Sequence, residues 1–99
     1  MIKNASHLAP VDAFFLEQGL EMGNEPVERN VQKIWVDEED GTLVGAATLG
    51  LREGYWVVDG IALLPEYRAQ GRGSRLLALA VEEARARGAD TLWLVAKSP

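Results

Sequence analysis

The second half of the chain follows an order of elements that few folds can accommodate. A β-like run over residues 55–64 ends at Pro65, which cannot continue a central strand. A glycine-containing loop follows, then an amphipathic helix over 75–87 and a final apolar run over 91–96. A strand, a helix and a second strand in this order predict a βαβ unit, whose strands lie parallel with a right-handed crossover.

The first half predicts antiparallel strands and one further helix. Residues 31–36 and 42–51 are strand-like, and the acidic turn between them ends in Asp-Gly, which is typical of a β-hairpin. Residues 2–5 are predicted to form a short first strand, and residues 10–19 are predicted to form a helix with an apolar stripe. The expected fold is therefore α/β: a mixed, mostly antiparallel sheet with a C-terminal parallel βαβ unit and helices packed on it.

Individual residues mark the irregular points of this plan. Gly45 and Gly50 predict a bulge or bend in the 42–51 strand. Residues 23–28 are expected to form a loop, and Ser74 is the expected N-cap of the second helix. Three tryptophans fall on predicted strands, where core packing is expected and an aromatic acceptor pocket is the alternative: Trp35, Trp56 and Trp93.

Composition excludes several classes of protein. The 99 residues form one domain, with 47% hydrophobic and 25% charged residues, as in ordinary globular proteins. The chain has no cysteine and one histidine, His7, so neither a disulfide framework nor a metal centre is expected. No apolar run is long enough to span a membrane and no export signal is recognisable, so we expect a cytoplasmic protein without a membrane partner.

Charge is distributed unevenly along the chain. The net charge is −5, and the acidic surplus lies in residues 1–54, so binding to nucleic acid is not expected. Arg68, Arg72 and Arg75 nevertheless lie within eight positions that contain no acid. Such a patch suits a compact anionic ligand, and the alternative is a solvated turn and helix start. The acidic run at 37–41 is expected to be a solvated hairpin tip rather than a metal site.

The loop before the second helix is the strongest functional signal. Residues 68–74 read Arg-Ala-Gln-Gly-Arg-Gly-Ser. Backbone amides at a helix N-terminus lack intrahelical partners and bind phosphate groups, and Gly71 and Gly73 let the backbone approach a ligand closely. The loop is not a Walker A motif, since no Gly-Lys-Ser/Thr follows, and it is not a dinucleotide fingerprint, since Leu76 stands where the third glycine would be.

Residues 61–77 resemble motif A of the GCN5-related N-acetyltransferase (GNAT) family. The match comprises a hydrophobic strand end, Pro65, the pair Tyr67-Arg68 and the spacing Arg-x-x-Gly-x-Gly at a helix start. It continues through Gly88 and the 91–96 strand and, more loosely, back to the first helix. The resemblance implies a single acetyl-CoA-binding N-acetyltransferase domain over residues 1–99, without the C-terminal helix and last strands of typical relatives.

The resemblance also implies a co-substrate, acetyl-CoA, and an acceptor, the amine of a small molecule or amino acid. The implied diphosphate-binding groups are Arg68 and the amides of Ala69, Gln70, Gly71, Arg72, Gly73 and Ser74. The implied partners of the pantetheine arm are the backbone groups of Ile61, Ala62 and Leu63. By the same resemblance, the Leu63 N–H polarises the thioester carbonyl.

Acetyl transfer to an amine also requires removal of a proton, and in the family a carboxylate serves as the base. Asp59 is the candidate, because it is an acid inside the central strand. The alternative is that Asp59 is a bulge or edge residue with a local hydrogen bond. The family's usual acid is a tyrosine on a helix beyond the last strand, and neither Tyr55 nor Tyr67 is assigned that role.

Two other functions remain open from the sequence. One is a non-catalytic CoA-binding or sensor module, and the other is an interaction domain with a vestigial loop. The 91–96 strand would be an apolar sheet edge, which predicts either a truncated chain or a homodimer that covers this edge.

Overall fold

The computed structural model describes residues 1–20 and 29–94, so the predicted loop at 23–28 lies outside the described residues. The elements in chain order are β1 (Ile2–Ala5), α1 (Leu8–Glu17), β2 (Val31–Glu39), β3 (Thr42–Arg52), β4 (Tyr55–Leu63), a 3-10 turn (Pro65–Tyr67), α2 (Arg72–Ala86) and β5 (Leu92–Leu94). Neither α1 nor α2 has the length and apolar character needed to cross a membrane.

The five strands form one sheet in the order β1-β2-β3-β4-β5. The pairs from β1 to β4 are antiparallel, whereas β4 and β5 are parallel and are connected through α2. This topology confirms the predicted mixed α/β fold with a C-terminal βαβ unit.

Each face of the sheet is covered by one helix. The side chains of α1 pack on one face, in a cluster of Val11, Phe14, Phe15, Ile34, Val36 and Ala46. The side chains of α2 pack on the other, in a cluster of Trp35, Ala47, Leu49, Val58, Leu76, Ala80 and Ala84. Each large aliphatic or aromatic side chain buried in this way stabilises the fold by about 1.5–3 kcal/mol.

The helix boundaries differ from the prediction in one respect that matters for the loop. Helix α2 begins at Arg72, three residues before the predicted start, and its N-cap is Gly71 instead of Ser74. The reason is the left-handed backbone of Gly71 (φ 80°), which turns the chain into the helix almost one turn earlier. Ser74 consequently lies within the first turn of α2 and is exposed.

The bulge predicted in the 42–51 strand is confirmed beside Gly45, where Val44 is the extra residue, whereas beside Gly50 the extra residue is Gln32 of β2. The pairing of β2 with β3 shifts register at two points, one next to each glycine. At position 50 a side chain is excluded because a Cβ would lie 2.7 Å from the carbonyl oxygen of Arg29. The backbone of Arg29 therefore lies directly against Gly50 of β3, the middle strand of the sheet.

The three tryptophans have different environments. Trp35 is buried in the α2-facing core and Trp56 packs at its margin, as predicted. Trp93 is 56% exposed, so the expectation of core packing is wrong there. The reason is that β5 is an edge strand, and among the described residues Trp93 has only the edge-on ring of Tyr55, at 6.4 Å, as an aromatic neighbour.

We expect Gly60→Ala to lower the free energy of unfolding by roughly 1–3 kcal/mol, because overpacking a dense core forces neighbouring groups to shift. A Cβ at position 60 would overlap the buried ring of Phe15, with Cζ only 2.9 Å away. Urea unfolding measures the change. The matched control is Gly73→Ala, whose Cβ would lie 3.4 Å from the Leu63 side chain and which should be neutral. An unchanged urea midpoint for Gly60→Ala would contradict this contact.

Candidate active site

Strand β4, which lies between β3 and β5, carries one extra residue in its middle. Thr48 of β3 is opposite Gly60, but Leu49 is opposite Val58, so Asp59 has no partner residue in β3. This is a β-bulge, and it shifts the alternation of side chains by one residue. Before the bulge, the even-numbered Trp56 and Val58 pack against the α2 cluster, whereas the odd-numbered Ile61 and Leu63 do so after it.

The edge of β4 beyond the bulge is open in the described part of the chain. Strand β5 pairs only with Trp56, Val57 and Val58, which precede the bulge. Residues 61–63 pair with β3 along one edge and have no partner strand along the other among residues 1–20 and 29–94. The structure therefore places the predicted pantetheine partners Ile61, Ala62 and Leu63 on an open edge, to which an extended ligand with amide groups can add as a strand does.

The loop that follows presents a run of N–H groups. No backbone nitrogen from Ala69 to Ser74 donates a hydrogen bond to any of the described residues, and the first bond of the helix runs from Arg75 N to Gly71 O at 3.1 Å. Ala69 (φ 61°) and Gly71 (φ 80°) are both left-handed. Backbones of this kind form concave sets of N–H groups, and the helix dipole adds positive potential, so the arrangement suits an anion.

The three arginines of the loop differ in their contacts. Arg68 is exposed, and its Nε donates to the carbonyl oxygen of Leu63 at 3.1 Å. Arg75 is also exposed. Arg72 is half-buried and held by two acids: Nη1 donates to Asp37 at 3.0 Å, and Nη2 donates to Glu39 at 2.6 Å. The charge of Arg72 is therefore already paired within the protein.

These contacts correct the prediction of a solvated acidic hairpin tip. Strand β2 continues to Glu39, so only Asp40 and Gly41 form the turn. Asp37, with a side chain 3% exposed, and Glu39 lie two residues apart on β2 and both reach the first turn of α2 through Arg72. The Arg72 guanidinium also lies 4.9 Å from the ring centre of Tyr67, which adds a cation–π contact.

Asp59, the predicted general base, is enclosed by hydrogen-bond donors. Its side chain is 1% exposed and accepts a hydrogen bond from Arg29 Nε at 2.8 Å and another from the hydroxyl of Thr48. Arg52 Nη2 lies 3.8 Å from the same carboxylate. This is the geometry of the alternative prediction, in which Asp59 is a bulge residue with local hydrogen bonds.

Arg29 connects this bulge to α1, a contact that the sequence analysis does not predict. Its side chain is 1% exposed, and Nη1 donates to both carboxylate oxygens of Asp12 at 2.8 and 2.9 Å. Burial opposes the charge of Arg29, but its hydrogen bonds to Asp59 and Asp12 raise its pKa above the usual value. The one available signal was Asp12, a charge that lies beside Val11 and three residues before Phe15 on the apolar stripe of α1.

In the described residues, a bulged strand with an open edge is followed by a helix start whose N–H groups have no partner. This arrangement is suited to an extended anionic ligand. The chain matches the model of the Acetyltransferase (GNAT) family over residues 6–98. It belongs to this family, which confirms the resemblance seen in motif A.

Individual relatives agree with this assignment. The chain is 33% identical over 88 residues to an amino-acid acetyltransferase from Pseudomonas fluorescens (strain Pf0-1), covering 80% of this chain and 19% of the relative. It resembles the solved structure of N-acetylglutamate synthase from Neisseria gonorrhoeae, complexed with coenzyme A and N-acetyl-glutamate, with a TM-score of 0.73 and 26% identity over 95% of this chain and 24% of that one. The chain thus spans about a fifth of the curated relatives it matches.

A predicted acetyltransferase from Clostridium acetobutylicum, solved with acetyl-CoA, shares the fold. Its TM-score is 0.70 at 15% identity, over 99% of this chain and 82% of that chain. Sequence identity this low supports the fold alone, and the coverage shows that the described sheet and helices form the larger part of a smaller relative.

Stability should depend on pH through the pair of Arg72 and Glu39. The hydrogen bond from Arg72, and then its charge, hold the pKa of Glu39 below the usual value of 4.5. Because the folded-state pKa is the lower one, the stabilisation is complete above the unfolded-state value and is lost as pH falls through the folded value. In urea unfolding from about pH 5 to pH 3, Glu39→Gln should lose less stability than the wild type.

The control for this measurement is Glu66→Gln, which removes an exposed acid with no salt bridge to the described residues. It should follow the wild-type curve. Equal losses in Glu39→Gln and the wild type would contradict the pairing of Glu39 with Arg72.

Proposed function

We propose that the chain is an acetyl-CoA-dependent N-acetyltransferase domain that moves an acetyl group to the amine of a small molecule or amino acid. The observation that carries this proposal is a juxtaposition: residues 61–63 of β4, whose outer edge has no partner strand in the described part of the chain, lead into the amides of residues 69–74, which have no partner there either. Membership of the GNAT family and the amino-acid acetyltransferase relatives support the reaction.

In this proposal each part of acetyl-CoA meets a different part of the loop and strand. The diphosphate binds the amides of Ala69, Gln70, Gly71, Arg72, Gly73 and Ser74. The amide groups of the pantetheine arm pair with the backbone of Ile61, Ala62 and Leu63. The helix dipole contributes only about 0.3–1 kcal/mol, so direct N–H bonds and the exposed side chains of Arg68 and Arg75 supply most of the affinity.

The proposed chemistry is direct transfer. The neutral amine nitrogen attacks the thioester carbonyl carbon, the new C–N bond forms and the C–S bond breaks. The amine loses one proton, and the departing CoA thiolate takes one up. The N–H of Leu63 is the proposed donor that polarises the carbonyl oxygen, and such a donor is most effective when it is fixed in place before the reaction.

The reaction is tested by mixing the chain with acetyl-CoA and a panel of amines and amino acids while following release of CoA. Release that depends on one class of amine supports the transferase. Tight binding of acetyl-CoA without release for any amine would instead support a CoA-binding or sensor module. Absence of both binding and release would leave an interaction domain.

The charge of the loop offers a direct test of diphosphate binding. Gly73→Asp places a carboxylate in the first turn of α2, among the amides proposed to hold the diphosphate. We expect it to weaken acetyl-CoA binding at least about tenfold relative to Gly73→Asn, because like charges at such a site are repulsive. Titration calorimetry measures both affinities. The neutral Gly73→Asn controls for size, and equal affinities of the two variants would contradict a diphosphate at this helix start.

We further propose that the chain forms a homodimer through the edge at residues 91–96, of which the structure describes 91–94. Strand β5 is the sheet edge, and Tyr55, Trp93 and Leu94 are large apolar residues exposed beside it. Sedimentation velocity should show a dimer whose dissociation constant rises at least about tenfold in Trp93→Lys. The control Leu16→Lys removes an exposed leucine on α1 and should not alter association. A wild-type monomer at high concentration would contradict the dimer.

A further inference from the structure

The bulge in β4 is held by a set of buried polar contacts that join three elements. Arg29 bonds to Asp59 on β4 and to Asp12 on α1, while Thr48 on β3 donates to the other oxygen of Asp59. Arg29 and Asp59 each have a side chain that is 1% exposed. We call Arg29, Thr48 and Asp59 the bulge cluster.

A buried charge pair of this kind adds little stability by itself. Removing Arg29 and Asp59 from water opposes their attraction, and apolar residues of similar size often replace such pairs without loss. What the pair does provide is a defined geometry, because each group must remain at its partner to avoid a buried unpaired charge. Within residues 1–20 and 29–94, Nη2 of Arg29 and Nε of the neighbouring Arg52 have no hydrogen-bond partner.

The cluster lies next to the last described pairing between β4 and β5. Among residues 1–20 and 29–94, the last residue of β4 in register with β5 is Val58, immediately before Asp59. The proposed pantetheine-binding edge begins at Ile61, two residues after Asp59. Loss of the bulge would continue the period-two alternation set by Trp56 and Val58. It would exchange the faces of Ile61, Ala62 and Leu63 and turn the opposite set of backbone groups towards the ligand.

We infer that the bulge cluster is a positioning device: Arg29 and Thr48 hold Asp59 so that the open edge of β4 presents Ile61 to Leu63 to the pantetheine arm of acetyl-CoA. This inference rests on the proposed function. It assigns Asp59 a role through the strand geometry in place of the predicted role as general base. A base must receive a proton from the acceptor amine or a water, and both carboxylate oxygens of Asp59 already accept hydrogen bonds from buried partners.

The inference is tested by a double-mutant cycle with Arg29→Met, Asp59→Asn and the double variant. Two ligands are titrated into each protein by calorimetry: acetyl-CoA, and ADP, which has a diphosphate but no pantetheine arm. Each single variant should weaken acetyl-CoA binding roughly fivefold or more while leaving ADP affinity within about twofold. The double variant should bind acetyl-CoA no less tightly than the single variant with the lower acetyl-CoA affinity, since each single substitution already removes the same ion pair.

Thr48 gives a milder variant pair that does not leave a buried charge unpaired. Thr48→Val keeps the shape of the side chain and removes the hydroxyl, and Thr48→Ser keeps the hydroxyl. Thr48→Val should weaken acetyl-CoA binding a few-fold, and Thr48→Ser should retain wild-type affinity. Circular dichroism and urea unfolding confirm that each titrated variant is folded. If a variant at Arg29 or Asp59 does not fold, the two Thr48 variants take its place in the test.

The outcomes separate the hypotheses. Unchanged acetyl-CoA affinity in all folded variants would overturn the positioning role, and an accompanying loss of CoA release and of its pH dependence in Asp59→Asn alone would return Asp59 to the role of base. Equal weakening of acetyl-CoA and ADP would also overturn it, because that result indicates general disruption. A wild-type chain that does not bind acetyl-CoA would reject the proposed function itself and this inference with it.

Discussion

One additional residue in β4 determines which side chains face each helix. Without the bulge at Asp59, the period-two alternation set by Trp56 and Val58 would continue, and the small residues Gly60 and Ala62 would face α2. With the bulge, the large side chains of Ile61 and Leu63 complete the α2-facing core instead. Gly60 and Ala62 then face α1, where Phe15 leaves no room for a Cβ at position 60. The packing of both helices therefore depends on this local change of phase.

The end of β4 is coupled to the start of α2 through Leu63. Its side chain lies over Gly45 on β3, where a Cβ would overlap it, and its Cδ1 lies 3.4 Å from the Cβ position of Gly73. Arg68 adds a hydrogen bond to the Leu63 carbonyl from the other side of the turn. The strand edge and the amide-bearing loop are thus packed as one unit, because the Leu63 side chain lies over Gly45 and next to Gly73.

The sequence was sufficient for those features that depend on local pattern. The order of strands and helices, the βαβ unit and the loop followed from periodicity, from Pro65 and from the glycines, because each of these constrains the backbone where it stands. The start of α2 was misplaced because Ser74 is a good N-cap residue, but the left-handed Gly71 turns the chain first.

Contacts between distant residues were not predictable in the same way. Arg29 bonds to Asp59, which lies 30 positions away in the sequence, and Arg72 bonds to Asp37, which lies 35 positions away. Nothing in the neighbourhood of either arginine distinguishes it from a surface residue. The acidic turn was interpreted as solvated for the same reason, since the extension of β2 to Glu39 depends on pairing with β3 and not on the residues of the turn.

The ion pairs of Arg72 with Asp37 and Glu39 determine which groups of this acidic chain remain available to bind an anion. The net charge of −5 opposes the approach of a diphosphate, and Arg72, which lies in the loop itself, is neutralised by Asp37 and Glu39. In a protein with a surplus of acidic residues, a flexible basic side chain such as that of Arg72 can pair with acidic side chains of the same chain instead of with a ligand. Backbone N–H groups at a helix start cannot turn towards the protein's own acidic side chains in this way, because their direction is set by the helix that follows. Arg72 therefore attaches the first turn of α2 to β2, and in the proposed function the diphosphate is left to the amides that this attachment holds in place.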